Sequence, residues 1–230
     1  MSVLEIENLS VLYQSKKREV LALDNFNAKF CDGMNVVMGS SGCGKTTLLR
    51  SILGLTAYDG KITLNGTDLE GIETKNRNFS FVSQDYTLFP QYTVFDNIAF
   101  PLKVIGAGRK EITERVYEIA ELTELTACLT RKPKYISGGQ QQRAAVARAL
   151  VKRPAICLMD EPFSNTDEVV RTNMRRWIKK VFAETGCMAI YITHDFKEAL
   201  AMADKLIIMN NGKLEICGTP EDVFDSGNAV

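Results

Sequence analysis

The segment Met34-Asn-Val-Val-Met-Gly39-Ser-Ser-Gly-Cys-Gly-Lys45-Thr46 decides the fold of this 230-residue chain. Its first five residues form a short run that contains β-branched residues and is bounded by glycines, and this run predicts a buried strand. A helix is predicted to follow over 45–55. Glycines between a strand and a helix let successive N–H groups point at phosphate oxygens, and the helix start adds partial positive charge. The segment therefore predicts an α/β fold with a phosphate-binding loop.

The loop matches the pattern G-x-x-x-x-G-K-[ST], in which the Lys and the hydroxyl residue have separate roles. Lys45 can reach the terminal phosphates of a nucleotide, and Thr46 can ligate Mg²⁺. A glycine-rich turn without a ligand is the alternative, and the strand–loop–helix context disfavours it. The residues predicted to contact the nucleotide here are Gly39, Ser40, Ser41, Gly42, Cys43, Gly44, Lys45, Thr46 and Thr47.

Cys43 lies inside this loop, beside backbone amides and Lys45. Both favour a thiolate, so we expect a thiol that reagents reach and that Mg-ATP protects. A buried and inert thiol is the competing expectation.

Composition places the chain among ordinary globular proteins, with 45% hydrophobic and 24% charged residues. The 28 Lys and Arg balance 28 Asp and Glu, so no overall field draws the chain to nucleic acid or anionic lipid. No stretch approaches the roughly 18 apolar residues of a membrane span, and the amino terminus does not resemble a signal peptide. We expect six reduced cysteines and a link to membranes only through a partner.

The first third of the chain is predicted to contain strands and turns. Alternation over 4–7 and 26–30 indicates half-buried strands, whereas the polar residues 14–19 predict a solvated loop. Asn65-Gly66 and Asn211-Gly212 each lie between apolar runs and predict hairpins.

The middle of the chain gains helical spacing, and the last third returns to strand–helix alternation. Strands are predicted over 155–159 and 188–192, and a helix over 167–184. This alternation implies βαβ units and a parallel sheet. We therefore expect one domain over 1–230, with a helical subdomain inserted at about 87–150.

The segment Ile156-Cys-Leu-Met-Asp160-Glu161 is an apolar strand that ends in two carboxylates. Such a strand end is suited to hold Asp160 beside Mg²⁺ and Glu161 beside an attacking water. A helix cap or a surface turn is the alternative. No N-K-x-D segment occurs, which disfavours a small GTPase.

The segment Ile136-Ser137-Gly138-Gly139-Gln140 predicts a second phosphate-binding helix end. Ser137 is a good N-cap, and the glycines leave backbone amides bare at the start of the helix. An ordinary capped helix is the alternative. With this segment the chain resembles the ATP-binding subunits of ABC transporters, whose signature is L-S-G-G-Q. The resemblance covers almost the whole chain and implies a P-loop NTPase (RecA-like) core, an N-terminal antiparallel β subdomain and a helical insertion.

The resemblance implies roles for further residues. Gln84 corresponds to the glutamine that senses Mg²⁺ and the attacking water, and His194 to the histidine that contacts the γ-phosphate. Tyr13 corresponds to the aromatic that stacks on adenine, although a Tyr packed between strands is the alternative. A polar structural residue is the alternative for His194, the only histidine. The implied cofactors are ATP and Mg²⁺. The implied catalytic residues are Glu161, His194 and Gln84, the metal ligands are Thr46, Gln84 and Asp160, and the further ATP-binding residues are Ser137, Gly138, Gly139 and Gln140.

The resemblance also implies partners. Two copies are expected to form a head-to-tail dimer around two ATP molecules and to bind transmembrane permease subunits at the cytoplasmic face of the cell membrane. Residues 91–102 look like those of binding-protein-dependent importers, so an extracellular solute-binding protein is expected and nucleic acid is not. Candidate permease contacts are Phe89, Phe95, Asn97 and Phe100.

Three other functions compete with this one. A non-transport ABC ATPase acting on nucleic acid or ribosomes is disfavoured by the compact segment between Lys45 and Ser137 and by the zero net charge. An exporter ATPase remains an alternative, and Glu161 and His194 argue against an inactive binding module.

The sequence departs from the family pattern at two places. Ile136 replaces the usual Leu of the signature, which is a volume-conserving change. Residues 164–167 have S-N-T-D in place of S-A-L-D, in a loop that contacts the opposite subunit in relatives. The chain ends shortly after residue 222, so we expect it to lack the regulatory β-domain that some relatives carry there.

Overall fold

A computed structural model of the chain describes residues 2–15, 18–163 and 168–225. The chain divides into two compact units, of which the first comprises 1–79 with 188–230 and the second comprises 80–187. The helical subdomain predicted at 87–150 falls within the second unit, and its boundaries stay a prediction. In the described ranges no helix is both long and apolar enough to cross a bilayer.

Among its described residues, the first unit contains strands of two sheets, three α-helices and a short 3-10 helix, Thr74–Asn76. Its strands are β1 Val3–Ser15, β2 Arg18–Cys31, β3 Met34–Met38, β4 Asp59–Leu64, β5 Thr67–Asp68, β8 Met188–Thr193, β9 Lys205–Asn210 and β10 Lys213–Gly218. Its helices are α1 Lys45–Leu53, α6 Phe196–Met202 and α7 Pro220–Asp225.

One sheet of the first unit is antiparallel, with the strand order β2-β1-β4-β5. Its inward positions, for example Leu4, Ile6, Phe26 and Phe30, are almost fully buried. The N-terminal antiparallel β subdomain is thereby confirmed.

The solvated loop predicted over 14–19 is wrong at its two ends. Gln14 pairs with Glu19 and Ser15 with Arg18, so β1 and β2 continue as a hairpin nearly to its tip. The Gln14 Nε2 group also donates to Glu19 Oε1 at 3.2 Å. A hairpin that is solvated on both faces shows no apolar alternation, and therefore its sequence resembles a loop.

The other strands of the first unit build the parallel core. Strand β3 runs parallel to β8 on one side and to β9 on the other, and β10 pairs antiparallel with β9. Every residue of β3 and β8 is buried. Parallel strands covered on both faces have continuous apolar sequences, which is why these segments were predictable.

Both predicted Asn–Gly hairpins are confirmed. Leu64 pairs with Thr67 across Asn65-Gly66, and Asn210 pairs with Lys213 across Asn211-Gly212. The helix predicted over 45–55 ends earlier, at Leu53, because Gly54 adopts a left-handed conformation (φ 73°) and its N–H caps the preceding turn.

The second unit is mainly helical. It contains β6 Phe79–Val82, β7 Ile156–Asp160 and the helices α2 Val94–Val104, α3 Arg109–Leu122, α4 Gly138–Leu150 and α5 Glu168–Thr185. Ile112, Val116 and Ile119 lie on the buried face of α3, as their spacing predicts.

Candidate nucleotide-binding site

The loop between β3 and α1 has a backbone that only glycine can form at two points. A Cβ atom on Gly39 would lie 2.2 Å from the carbonyl oxygen of Met209. Gly44 has φ 107°, and a Cβ there would lie 2.4 Å from the carbonyl oxygen of Ala22. The glycines of the motif are therefore required by close backbone packing inside the first unit.

Lys45 is enclosed by this loop. Its side chain is 6% exposed, and its Nζ atom donates to the carbonyl oxygens of Gly39 and Ser40, both at 2.8 Å. All residues of α1 are described, and none in its first turn is acidic. The loop tip is solvent-exposed at Ser40 and Ser41. An anion approaching the tip thus meets a helix start and a lysine ammonium, which suits a phosphate group.

Cys43 differs from one of the two expectations. Its side chain is 5% exposed, and its Sγ atom lies 3.9 Å from Lys45 Nζ. Its backbone N–H donates to Ser40, and its carbonyl oxygen accepts from Gly212. The accessible thiol expected from the sequence is not found, because the side chain packs under the loop while the backbone shapes it.

Tyr13 lies on β1 with its side chain 41% exposed. A side-chain hydrogen bond with Thr47 lowers the pKa of Tyr13, desolvation opposes this shift, and Thr56 and Arg50 lower the pKa further. The ring therefore lies beside α1 and is not packed away between strands. Tyr13 also pairs directly with Val20 of β2, so no long loop separates it from the next strand.

His194 follows β8 and is solvent-exposed. The residues beside it are fixed, since Asp195 accepts the Glu198 N–H at 3.0 Å and caps α6. The Thr193 hydroxyl accepts the Asp195 N–H at 3.0 Å and donates to Glu198. This rigid turn presents the imidazole at the carboxyl end of the parallel strand β8.

Ser137 caps α4 in the second unit. Its Oγ atom accepts the Gln140 N–H at 3.3 Å, and Gln140 Oε1 accepts the Ser137 N–H at 3.0 Å. A Cβ atom on Gly138 or Gly139 would meet no described atom within 4 Å. The packing of the chain itself does not require these glycines. A side chain at either position would therefore point into open space among the described residues, and a second phosphate site here stays a prediction.

Asp160 is the last residue of β7 in the second unit and Glu161 follows it, and both are half-buried. Glu161 has φ 44°, a left-handed conformation that costs a non-glycine residue about 1–3 kcal/mol. Such strain persists only where the surrounding structure fixes it, and it concentrates at functional sites. The atypical loop 164–167 lies outside the described residues.

Gln84 follows β6 and is exposed within a turn over 83–87. The structure therefore places the predicted residues in two groups. The first unit holds Tyr13, the loop 39–47 and His194, and the second holds Gln84, 137–140, Asp160 and Glu161.

The predicted metal ligands supply a hydroxyl from Thr46, an amide oxygen from Gln84 and a carboxylate from Asp160. Among the described residues no group of three His, Cys, Asp or Glu could hold a metal. Mg²⁺ is bound by one or two protein carboxylates together with substrate phosphates and water. Each of these oxygen donors is of a kind that Mg²⁺ binds.

Asn97 was predicted as a permease contact, and this is wrong. Its side chain is 0% exposed. Its Oδ1 atom accepts the Phe89 N–H at 2.7 Å, and its Nδ2 group donates to the carbonyl oxygens of Phe89 and Thr93 at 3.1 and 2.9 Å. Asn97 therefore organises the loop before α2. A buried Asn needs hydrogen-bond partners, and this loop supplies them.

The aromatic residues around this loop remain partly exposed. Phe89 lies 4.8 Å from Phe100 and 5.6 Å from Tyr92, measured between ring centroids. Phe95 lies 6.2 Å from Tyr117. Tyr92, which sequence reasoning missed, thus completes a half-exposed aromatic cluster with Phe89 and Phe100.

A glycine-rich phosphate cradle closed on a lysine, in an α/β unit with a parallel sheet, defines a P-loop nucleotide-binding protein. The chain belongs to the ABC transporter family, whose family model matches residues 23–164. The resemblance found in the motifs is confirmed.

Relatives of known role are import subunits. The chain is 40% identical to the sn-glycerol-3-phosphate import ATP-binding protein UgpC of Chromobacterium violaceum, over 98% of this chain and 61% of that protein. It is 43% identical to the molybdate/tungstate import ATP-binding protein WtpC of Pyrococcus horikoshii, over 96% of this chain and 64% of the relative. It is 44% identical to the trehalose/maltose import ATP-binding protein MalK of Thermococcus litoralis, over 90% of this chain and 58% of that protein. The chain thus spans about three fifths of the length of these relatives.

Solved structures share the fold. A dimeric ATP-binding cassette in a post-hydrolysis state with ADP and Pi superposes with a TM-score of 0.81 at 28% identity, covering 94% of this chain and 98% of that one. A dimeric bacterial ABC transporter cassette gives a TM-score of 0.80 at 29% identity, with the same coverage.

Proposed function

We propose that the chain is the ATP-binding and hydrolysing subunit of a binding-protein-dependent importer. The observation that carries the proposal is the loop 39–45, in which glycines enclose the Lys45 ammonium at the start of α1. The import ATP-binding proteins among its relatives support the transport role.

The loop binds the phosphates of ATP. Lys45 exchanges its contacts with the Gly39 and Ser40 carbonyl oxygens for phosphate oxygens, and the N–H groups at the start of α1 add hydrogen bonds. The exposed ring of Tyr13 stacks on the adenine. Stacking on an aromatic face tolerates any base, so we expect weak base specificity.

Thr46, Asp160 and Gln84 would hold Mg²⁺ with the nucleotide. When bound there, Mg²⁺ would supply positive charge against the transferred phosphoryl group.

Glu161 is the general base of the proposed reaction. Its carboxylate accepts a proton from the attacking water, and the strained backbone fixes its position. His194 contacts the γ-phosphate from the turn after β8 and enters no covalent step.

A second copy of the chain completes the proposed site. Gly138 and Gly139 have open space at the start of α4, so the N–H groups there can receive the γ-phosphate of ATP bound to the other copy. A head-to-tail dimer places each signature against the other P-loop. The two solved cassettes with this fold are dimeric.

The subunit acts at the cytoplasmic face of the membrane through transmembrane permease subunits. The half-exposed cluster of Phe89, Tyr92 and Phe100 offers the contact surface. An extracellular solute-binding protein delivers the solute in the complete system. Nucleic acid is not expected as a partner, because the net charge is zero.

The test is reconstitution. The chain would be purified with the permease encoded beside its gene and placed in vesicles with the neighbouring binding protein. We expect solute uptake that requires Mg-ATP on the side of this chain and stops when Lys45 is replaced. Mg-ATP hydrolysis that drives no uptake, or drives efflux, would contradict the import role.

A further inference from the structure

The turn that carries Gln84 is closed by its own polar groups. The Ser83 and Thr87 hydroxyls lie 2.9 Å apart, within hydrogen-bonding distance. The Tyr86 N–H donates to Ser83 at 3.2 Å, and the Thr87 N–H donates to Asp85 at 2.7 Å. Gln84 is therefore held at an exposed position in a compact turn.

The backbone of this turn is strained at Tyr86. Its φ of 54° is left-handed, which is unfavourable for a bulky aromatic residue. Conformations of this kind persist only where surrounding groups hold them. The structure of the second unit shows which groups do so.

Two side chains of α4 hold the turn. Gln142 is 3% exposed, and its Nε2 group donates to the Tyr86 hydroxyl. The Arg148 guanidinium donates to the Thr87 carbonyl oxygen at 2.9 Å and to that of Tyr86 at 3.5 Å. The same guanidinium lies 5.5 Å from the ring centroid of Phe89. A cation and a buried amide thus fix both the strained residue and the one after it.

The same helix begins at the signature. Ser137 caps α4, and Gln142 lies about 7–8 Å further along the helix at a rise of about 1.5 Å per residue. Residues 144–147 between the two holding side chains are all buried, so α4 is anchored in the core of the unit. A shift of its first turn would therefore be carried to the turn around Gln84.

We infer that Gln142 and Arg148 are positioning residues, which hold the turn 83–87 so that Gln84 follows the position of the signature helix. The inference rests on the proposed function, because it gives the turn a role in ATP hydrolysis. The contacts of Gln142 and Arg148 would link Ser137, at the start of α4, to Gln84 within one chain.

The variants are chosen to break the contacts singly. Gln142→Leu removes the amide at similar volume, Tyr86→Phe removes only the hydroxyl, and the double variant closes a double-mutant cycle. Arg148→Met removes the guanidinium. Arg153→Met is the matched control, because the Arg153 guanidinium pairs with Glu118 on α3.

Two measurements are made on the full chain. Hydrogen exchange of a peptide covering 83–89 reports on the turn, with a peptide from α3 as internal reference. Steady-state kinetics separate kcat from KM for ATP. We expect exchange over 83–89 to rise about tenfold in Gln142→Leu and Arg148→Met, with α3 unchanged. We expect kcat to fall about tenfold while KM for ATP stays within about twofold.

Other outcomes overturn the inference. Faster exchange with unchanged kcat means that the contacts are only structural. A lower kcat without faster exchange, or with an equal loss in Arg153→Met, means that the effect does not pass through the turn. Additive losses in the double variant exclude a direct Gln142–Tyr86 coupling. If the wild-type chain hydrolyses no ATP, the proposed function fails separately, and the exchange rates alone decide whether α4 holds the turn.

Discussion

At the scale of single residues, Lys45 shows how folding and chemistry share one side chain. Its ammonium satisfies two carbonyl oxygens of the loop that it is proposed to open for phosphate. From the sequence alone, Lys45 acts on phosphate charge and its loss leaves the fold almost unchanged. The hydrogen bonds modify this expectation, because truncation leaves two carbonyl oxygens of the loop without the charged donor that they accept from.

Lys45→Ala is therefore predicted to affect both activity and stability. Hydrolysis of ATP falls at least about 10²-fold, since a charge that stabilises the transferring phosphoryl group is removed. The free energy of unfolding falls by about 1.5–3 kcal/mol, the range for hydrogen bonds to charged groups. Thermal melting and an ATPase assay measure the two effects. Lys29→Ala is the control, because Lys29 forms an exposed ion pair with Glu5, and it is expected to leave hydrolysis and stability unchanged. Unaltered hydrolysis in Lys45→Ala would show that Lys45 does not act on the nucleotide.

Cysteine reactivity provides a second residue-scale prediction. Burial raises the pKa of Cys187 to about 12 and that of Cys157 well above its usual value, whereas Cys217 is exposed. Because the thiolate is the nucleophile, iodoacetamide at pH 8 labels Cys217 first. Both buried thiols stay protonated at pH 8 and label only after unfolding. Mass spectrometry of labelled peptides checks the order, and early labelling of Cys157 in folded protein would contradict it.

Some site residues were predictable because a local pattern determines their chemistry. The loop 39–46, Ser137 and Asp160 follow from spacing within one segment and are found at the expected turns and helix ends. The burial of Asn97 was not predictable, because its partners are loop carbonyl groups whose position depends on tertiary folding. The left-handed backbone of Glu161 likewise has no signal in sequence.

At the scale of elements, α4 begins with an ordinary helix cap that is followed by two glycines. Ser137 and Gln140 form a capping box, which a helix with no ligand would also use. The two following glycines, where a Cβ atom would meet no described atom within 4 Å, leave room for the ligand that we propose there. Stability and function at this helix end can therefore be separated.

Ser137→Ala tests this separation. Removing the cap lowers the free energy of unfolding by about 1 kcal/mol. Thr93→Ala removes the equivalent cap of α2, where Thr93 accepts the Asp96 N–H at 3.1 Å, and costs a similar amount. Both variants lose a similar amount of stability. Only Ser137→Ala also lowers the rate of ATP hydrolysis more than this loss of stability explains. Equal ATPase rates in the two variants would show that Ser137 acts as a cap alone.

Elements were predictable where short-range rules dominate. Both Asn–Gly hairpins and the buried strands β3 and β8 follow from turn chemistry and apolar runs. The hairpin extension over 14–19 was missed, because pairing there is backbone-driven and the side chains are polar. Gly54 is a residue that commonly ends a helix, and it ends α1. The prediction extended α1 to residue 55 because Leu55 is apolar and continues the helical pattern.

At the scale of the whole molecule, a helical insertion was predicted, but the bounds of the two units near residues 79 and 188 were not evident from sequence. The first unit joins the two ends of the chain through β3, which pairs with β8 and β9. Such pairings depend on contacts between distant segments, and no local pattern specifies them. The fold class was still predictable, because the motif order along the chain is that of the family.

Glu161→Gln tests whether two copies of the chain assemble around ATP. The substitution keeps the shape and hydrogen bonding of the side chain but removes the proton-accepting carboxylate. Hydrolysis falls by about 10²-fold or more, while nucleotide binding persists through Lys45 and Thr46. Uncleaved ATP then holds two chains together between P-loop and signature.

The decisive measurement is the molar mass of purified Glu161→Gln by size-exclusion chromatography with light scattering. With Mg-ATP we predict a dimer, and with Mg-ADP a monomer, because the N–H groups of Gly138 and Gly139 then have no γ-phosphate to bind. A second substitution, Ser137→Ala, weakens the dimer without abolishing ATP binding to the single chain. A monomer with Mg-ATP, or the same dimer with ADP, would contradict a nucleotide site completed by a second copy.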